Sequence, residues 1–138
     1  MEIASILKQY QLRPRKSLGQ NFLTDEHALA QIVANAGVTR DDLILEIGPG
    51  LGSLTRHLAE AARHVIAVEI DQTLIPPLQT VIAAYPNISI VHGDILQIDP
   101  AKLVTSQLER SQSVTGQLDS QATHLPVDQV TNPTPVVE

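Results

Sequence analysis

Three short apolar runs, Leu43–Ile47, Val65–Ile70 and Ile88–His92, alternate with segments of helical period, and this alternation restricts the fold more than any other feature of the chain. Ser53–Ala62 puts Leu54 and Leu58 on one helical face. Asp71–Tyr85 reads as helical in its later part, with Pro76 and Pro77, which lack backbone N–H groups, in its first turn or at a kink. Strands separated by single helices are joined as βαβ units, so the expected class is α/β with a parallel sheet and flanking helices. Upstream, Ile3, Ile6, Leu7 and Tyr10 keep helical spacing, and Leu12–Thr24 reads as a loop. A second helix from about Asp25 to Ala36 is expected to bury Ala28, Leu29, Ile32 and Val33 and to stop at Gly37. Ligands of such sheets bind outside the carboxyl ends of the strands, which directs attention to residues 46–53, 69–71 and 92–95.

The first of these stretches is Glu46-Ile47-Gly48-Pro49-Gly50-Leu51-Gly52-Ser53. Alternate glycines let a backbone approach a ligand closely, and the helix that follows offers free N–H groups to it. A phosphate-binding Walker loop requires a lysine, and none occurs between residues 17 and 101. The dinucleotide fingerprint requires a third glycine where Ser53 stands. An acidic residue two positions ahead of G-x-G-x-G remains, to be weighed against a plain tight turn beside a solvated Glu46.

Composition divides the chain in two. The 138 residues carry a formal charge of −6 and no cysteine, which excludes disulfides, thiolate zinc sites and a cysteine nucleophile. From Ala101 onward Ser, Thr, Gln, Asp and Pro dominate, a composition that buries too little surface to offset its ordering entropy; a short helix around Ala101–Arg110 is the only element expected there. Apolar stretches such as 65–68 are far shorter than the roughly 20 residues of a membrane helix, and the N-terminus does not read as a secretory signal. A soluble, monomeric, cytoplasmic protein without membrane contact is therefore expected. His27, His57, His64, His92 and His124 have no metal-ligand spacing, so no metal is expected either.

Glu46-x-Gly48-x-Gly50-x-Gly52 resembles the first motif of class I S-adenosylmethionine-dependent methyltransferases, a Rossmann-like fold. The resemblance implies a loop that cradles the methionine end of S-adenosylmethionine, a zwitterion beside a sulfonium, whose positive charge suits Glu46. Glu69, one βαβ unit further on, suits a bidentate bond to two ribose hydroxyls; Asp71 is its rival, read here as capping the next turn. Asp94 offers a carboxylate to the exocyclic amine of adenine.

Gln20-Asn21-Phe22-Leu23-Thr24-Asp25, taken with Leu45–Thr55, Val68-Glu69-Ile70-Asp71 and Gly93-Asp94, resembles the ribosomal RNA adenine N6-dimethyltransferases continuously from about residue 13 to 99, and looks more like the small-subunit branch. Carried over by position, Asn21 and Leu23 contact the cofactor from the opening segment, with Glu46, Gly48, Gly50, Gly52, Glu69 and Asp94 completing its site. Arg13, Arg15 and Lys16 meet RNA phosphates, or form an ordinary solvated charge run. Residues 1–24 carry +3 within an acidic chain, which favours RNA there.

The family holds its target base with an Asn-(Ile/Leu)-Pro-(Tyr/Phe) motif at the end of the fourth strand, and this chain has none. Tyr85-Pro86-Asn87 has the wrong order, and Asn132-Pro133-Thr134-Pro135 lacks the aromatic residue. The expected organisation is an N-terminal helix and basic opening segment over 1–24, the first half of an S-adenosylmethionine-binding domain over 25–100, and a polar low-complexity tail or insertion over 101–138. The function implied is N6-dimethylation of adenines in small-subunit ribosomal RNA or its precursor, with this chain a fragment that has no catalytic residues of its own and is inactive alone. A non-catalytic RNA- or ribosome-binding module is the alternative. A nicotinamide-dependent dehydrogenase domain is a third, disfavoured by Ser53 and Glu46.

Overall fold

The computed structural model describes residues 3–13, 20 and 22–116. Its order is α1 (Ile3–Gln9), α2 (Glu26–Asn35), β1 (Leu43–Ile47), α3 (Ser53–Ala61), β2 (His64–Glu69), α4 (Ile75–Ile82), β3 (Ile88–His92) and α5 (Pro100–Gly116). The strands form one parallel sheet in the order β1-β2-β3, with Leu45 opposite Ile66 and Ile66 opposite Ser89. β2 is buried from Val65 to Glu69, as a central parallel strand covered on both faces must be, whereas β1 is half-buried along most of its length.

Alternation along the strands puts Ile44, Val65, Ile88 and Ile90 on one face, where Leu58 of α3 and Leu78 and Ile82 of α4 close a single apolar cluster. On the other face α5 is tied down by polar contacts. Gln107 Oε1 accepts from Ser89 Oγ at 3.3 Å, and Ser89 Oγ is in turn 2.9 Å from His64 Nε2. Burial, and then the neighbouring Arg63 charge, hold His64 below its ordinary pKa. A second apolar cluster seats α1 through Ile6 against Leu51 and Leu74, with Tyr10 Oη 2.6 Å from Thr80 Oγ1.

The element starts follow local chemistry. Asp25 accepts from the N–H groups of His27 and Ala28 at 3.0 and 3.1 Å and so caps α2. A 3-10 turn over Gln72–Leu74 leads into α4, which carries its prolines in the first turn, where a missing N–H costs nothing. Three expectations are corrected. β2 spans His64–Glu69 and not Val65–Ile70, since Ile70 leaves the ladder. Ile32 is 43% exposed, because α2 lies at the periphery and only the Leu29–Val33 line, four residues apart, meets the core. The helix after residue 99 runs on to Gly116. Asp99 Oδ1 accepts from Ala101 N at 3.0 Å and Pro100 fills the first position, so capping and helix-favouring Ala, Lys, Leu and Gln carry it beyond Arg110.

Asn87 has a structural task at the amino ends of the strands, opposite the site. Its Nδ2 donates to the carbonyls of Ala59 and Ala62 at 2.8 and 3.3 Å, satisfying acceptors at the buried C-terminal end of α3, and its own carbonyl accepts from Val65 N at 2.9 Å. Asn87→Ala should lower stability by about 1–2 kcal/mol. A urea midpoint equal to that of the parent chain would show that the carbonyls find other partners.

Candidate functional site

The glycine loop continues the sheet before it turns: Gly48 N donates to Val68 O at 2.8 Å, locking the end of β1 onto β2. Gly52 then takes φ +79° to start α3, and a Cβ there would stand 2.8 Å from Leu78 Cδ1. Gly50, at φ +59°, faces Phe22, whose ring would lie 3.1 Å from an added Cβ. Both glycines therefore serve packing as well as backbone conformation. Gly48 differs, since a Cβ there would meet nothing within 4 Å and the backbone borders open space.

That space is a cleft of about 410 Å³ at the carboxyl ends of β1 and β2. Gln20, Phe22 and Leu23 form one wall, Gly48 and Gly50 another, and Glu46 and Glu69 also line it. Glu69 is 3% exposed and held at both oxygens, Oε2 accepting from Gly50 N at 3.1 Å and Oε1 from Asp71 N at 2.8 Å. A carboxylate has about four acceptor positions, so two N–H groups orient Glu69 without exhausting it. Glu46, 9% exposed, is different: its Oε2 is buried and meets no partner. Desolvation pushes its pKa up to about 7; Thr55 opposes the shift and the Glu69 charge adds to it. Thr55 Oγ1 is itself buried without a partner, so its opposition stops short of a hydrogen bond and desolvation dominates.

Among the expected site residues, the fold gathers Leu23, Glu46, Gly48, Gly50 and Glu69 in the cleft. Gly52 is set behind it in the α3 turn. Asp94 is outside the lining, its Oδ1 accepting from Leu96 N at 2.9 Å to cap the turn Ile95–Gln97. Asp71 caps the turn after β2, as expected, accepting from Thr73 N at 3.1 Å. Arg13 is exposed; Asn21, Arg15 and Lys16 lie outside the described residues. Gln20 and Phe22 were not singled out as site residues, yet both line the cleft. The chain's single phenylalanine, standing inside the Gln20–Leu23 stretch that carries the resemblance, was the available signal for Phe22. Among the described residues no cluster of three or more His, Asp or Glu could hold a metal, and no helix is long and apolar enough to cross a membrane.

Residues 11–137 match the family model described as ribosomal RNA adenine dimethylase. The chain belongs to that family. Two similar relatives are both called ribosomal RNA small subunit methyltransferase A. The protein from Listeria welshimeri is 47% identical over 107 residues, covering 78% of this chain and 36% of its own length. The one from Alkaliphilus oremlandii is 50% identical over 99 residues, covering 72% and 34%. This dimethylase-family chain thus spans about a third of the length of the curated relatives it matches. Among solved structures it is similar to the 23S rRNA methyltransferase ErmE, with 42% identity and TM-score 0.55 over 58% of this chain and 33% of that one. A dimethyladenosine transferase from Plasmodium falciparum gives 30% identity and TM-score 0.53, covering 57% and 30%. The parallel sheet with its flanking helices is therefore that of class I methyltransferases over the part matched.

Proposed function

We propose that this chain supplies the S-adenosylmethionine-holding part of an enzyme that dimethylates the N6 of adenines in small-subunit ribosomal RNA. The observation that carries the reading is the unpartnered, buried Glu46 oxygen beside the open backbone at Gly48, in one cleft with an oriented Glu69. Burying a carboxylate without a partner is costly, and a cationic ligand relieves that cost. The residues fit the cofactor. Glu46 receives its ammonium end, Gly48 lets the chain pass close, Gly50 lines the cleft with its Cβ side turned to Phe22, and the remaining acceptor positions of Glu69 take the ribose hydroxyls. Asp94, along the row of strand ends, is assigned to the adenine amine, and Asn21 and Leu23 to the opening side.

When bound, the cofactor supplies an electrophilic methyl group on a sulfonium. Glu46 and Glu69 are assigned to fixing and orienting the cofactor. The Asn-(Ile/Leu)-Pro-(Tyr/Phe) motif, whose work is to hold a flipped adenine, does not occur in these 138 residues. Arg13, Arg15 and Lys16 are assigned to RNA phosphates. The similarity to small-subunit methyltransferases supports the choice of substrate.

Calorimetry on the chain should show binding of S-adenosylmethionine and S-adenosylhomocysteine, and none of NAD. Binding of NAD alone would return the fold to the dehydrogenase reading. Incubated with small-subunit RNA and labelled cofactor, residues 1–138 alone should transfer no methyl group; measurable transfer would refute their proposed inactivity.

A further inference from the structure

The wall made by Gln20 and Phe22 is joined to the glycine loop across a long stretch of sequence. Gln20 Nε2 donates to Asp71 Oδ2 at 2.8 Å, a contact between residues 51 positions apart. Asp71 is 4% exposed, and its other oxygen accepts from Thr73 N at 3.1 Å and Thr73 Oγ1 at 2.7 Å. The backbone N–H of the same residue donates to Glu69 Oε1, and Glu69 Oε2 reaches back to Gly50 N. Gly50 is the residue on which the Phe22 ring rests. Gln20, Asp71, Glu69, Gly50 and Phe22 are thus linked by successive contacts along the rim of the cleft.

We propose that Gln20 and Asp71 form a latch that seats the wall made by Gln20 and Phe22 against the glycine loop and so retains the bound cofactor. Asp71 is here a positioning residue: it acts through Gln20 and through the carboxylate of Glu69, and it does not line the cleft. A side-chain bond to a buried, turn-capping carboxylate is charge-assisted and short, which suits a wall that must hold yet open for exchange. Phe22 adds apolar contact, and the Gln20 bond adds direction to the wall. This inference rests on reading the cleft as the S-adenosylmethionine site, and its test separates the two.

The test uses the full chain with Gln20→Glu, Asp71→Asn and the pair together. Gln20→Glu sets two carboxylates against each other at the latch. Asp71→Asn keeps an oxygen for Thr73 and turns an amide donor toward position 20, so the double variant rebuilds the bond with donor and acceptor exchanged. In the ligand-free protein, backbone amide exchange at Phe22 and Leu23 should rise at least about tenfold in Gln20→Glu, with β2 amides unchanged, and return to the parent rate in the pair. The dissociation rate of S-adenosylhomocysteine should follow the same pattern. Unchanged exchange at Phe22 and Leu23 in Gln20→Glu, or a rise that Asp71→Asn does not reverse, overturns the latch. Exchange that rises while ligand dissociation stays at the parent rate overturns its role in retention. A parent chain that binds no S-adenosylhomocysteine defeats the cofactor reading and the retention role, whereas the amide exchange still tests the contact itself.

Discussion

Glu46→Gln should make the chain more stable at pH 8 than its parent by about 3 kcal/mol, relative to their difference at pH 4. Burial raises the Glu46 pKa from 4.5 to about 7, so the folded chain binds this proton more tightly than the unfolded chain does. Stability from this group is therefore greatest below about pH 4.5 and is lost progressively as pH rises to about 7, above which the penalty is constant. Glutamine has no proton to lose in this range, so its stability should lack that decline. Asp42 and Glu26, whose pKa values are lowered, lie on the surface and are shared by both proteins, so they cancel in the comparison. Urea unfolding of both proteins from pH 4 to 8 measures the effect. Parallel stability profiles would mean that Glu46 is solvated in the folded state.

On the proposed reading that penalty serves the ligand, since a carboxylate that receives a cation is charged when the ligand arrives. Saturating S-adenosylmethionine should accordingly stabilise the parent at pH 8 far more than it stabilises Glu46→Gln. A protein that keeps a costly buried carboxylate beside a second acid is consistent with a site formed for a ligand and not for stability alone.

Glu69→Ala should have the other large effect, a loss of cofactor affinity of at least about 100-fold together with about 3 kcal/mol of stability. The carboxylate satisfies the N–H groups of Gly50 and Asp71, and both are left unpaired in the buried turn when it is removed. The loop would lose the bond that fixes Gly50, and the Asp71 turn the bond that fixes its first N–H. Glu69→Gln retains one acceptor oxygen and should fall between the two. Removing the charge also relieves Glu46, so in Glu69→Ala the pH-dependent decline should shift to lower pH. Titration calorimetry and urea unfolding on the same preparations measure both effects. Parent affinity in Glu69→Ala would remove this residue from the site.

Much of the frame could be read from the residues. β1 and β3 lie where their apolar runs predict, and β2 is offset by one residue, because His64 joins the ladder opposite Leu43 while Ile70 leaves it with half its surface exposed. These runs are legible because a parallel strand buried on both faces tolerates little except aliphatic residues. Asp71, Gly37 and the paired prolines were legible because capping and turn geometry are local. Ile32 and the length of α5 were not. Periodicity shows that a helix has an apolar side but not how much of that side a neighbour covers, and the Gln107–Ser89 bond that helps to dock the polar α5 joins residues 18 positions apart.

What the amino-acid sequence determined by itself is the order of strands and helices, the glycine turn after β1 and the acids at successive strand ends. Each depends on residues adjacent or a few positions apart. The tertiary structure alone decided which acid is satisfied and which is stranded. Glu46 and Glu69 look equivalent as residue types, yet Glu69 is bonded by two N–H groups brought from a neighbouring loop and turn, whereas Glu46 is enclosed with an oxygen unpaired. It also decided that Gln20 meets Asp71 and that Phe22 covers Gly50. The Asp71 N–H is local to Glu69, but the Gly50 N–H, the Gln20 amide and the atoms that enclose Glu46 lie far off along the chain, and only folding brings those together.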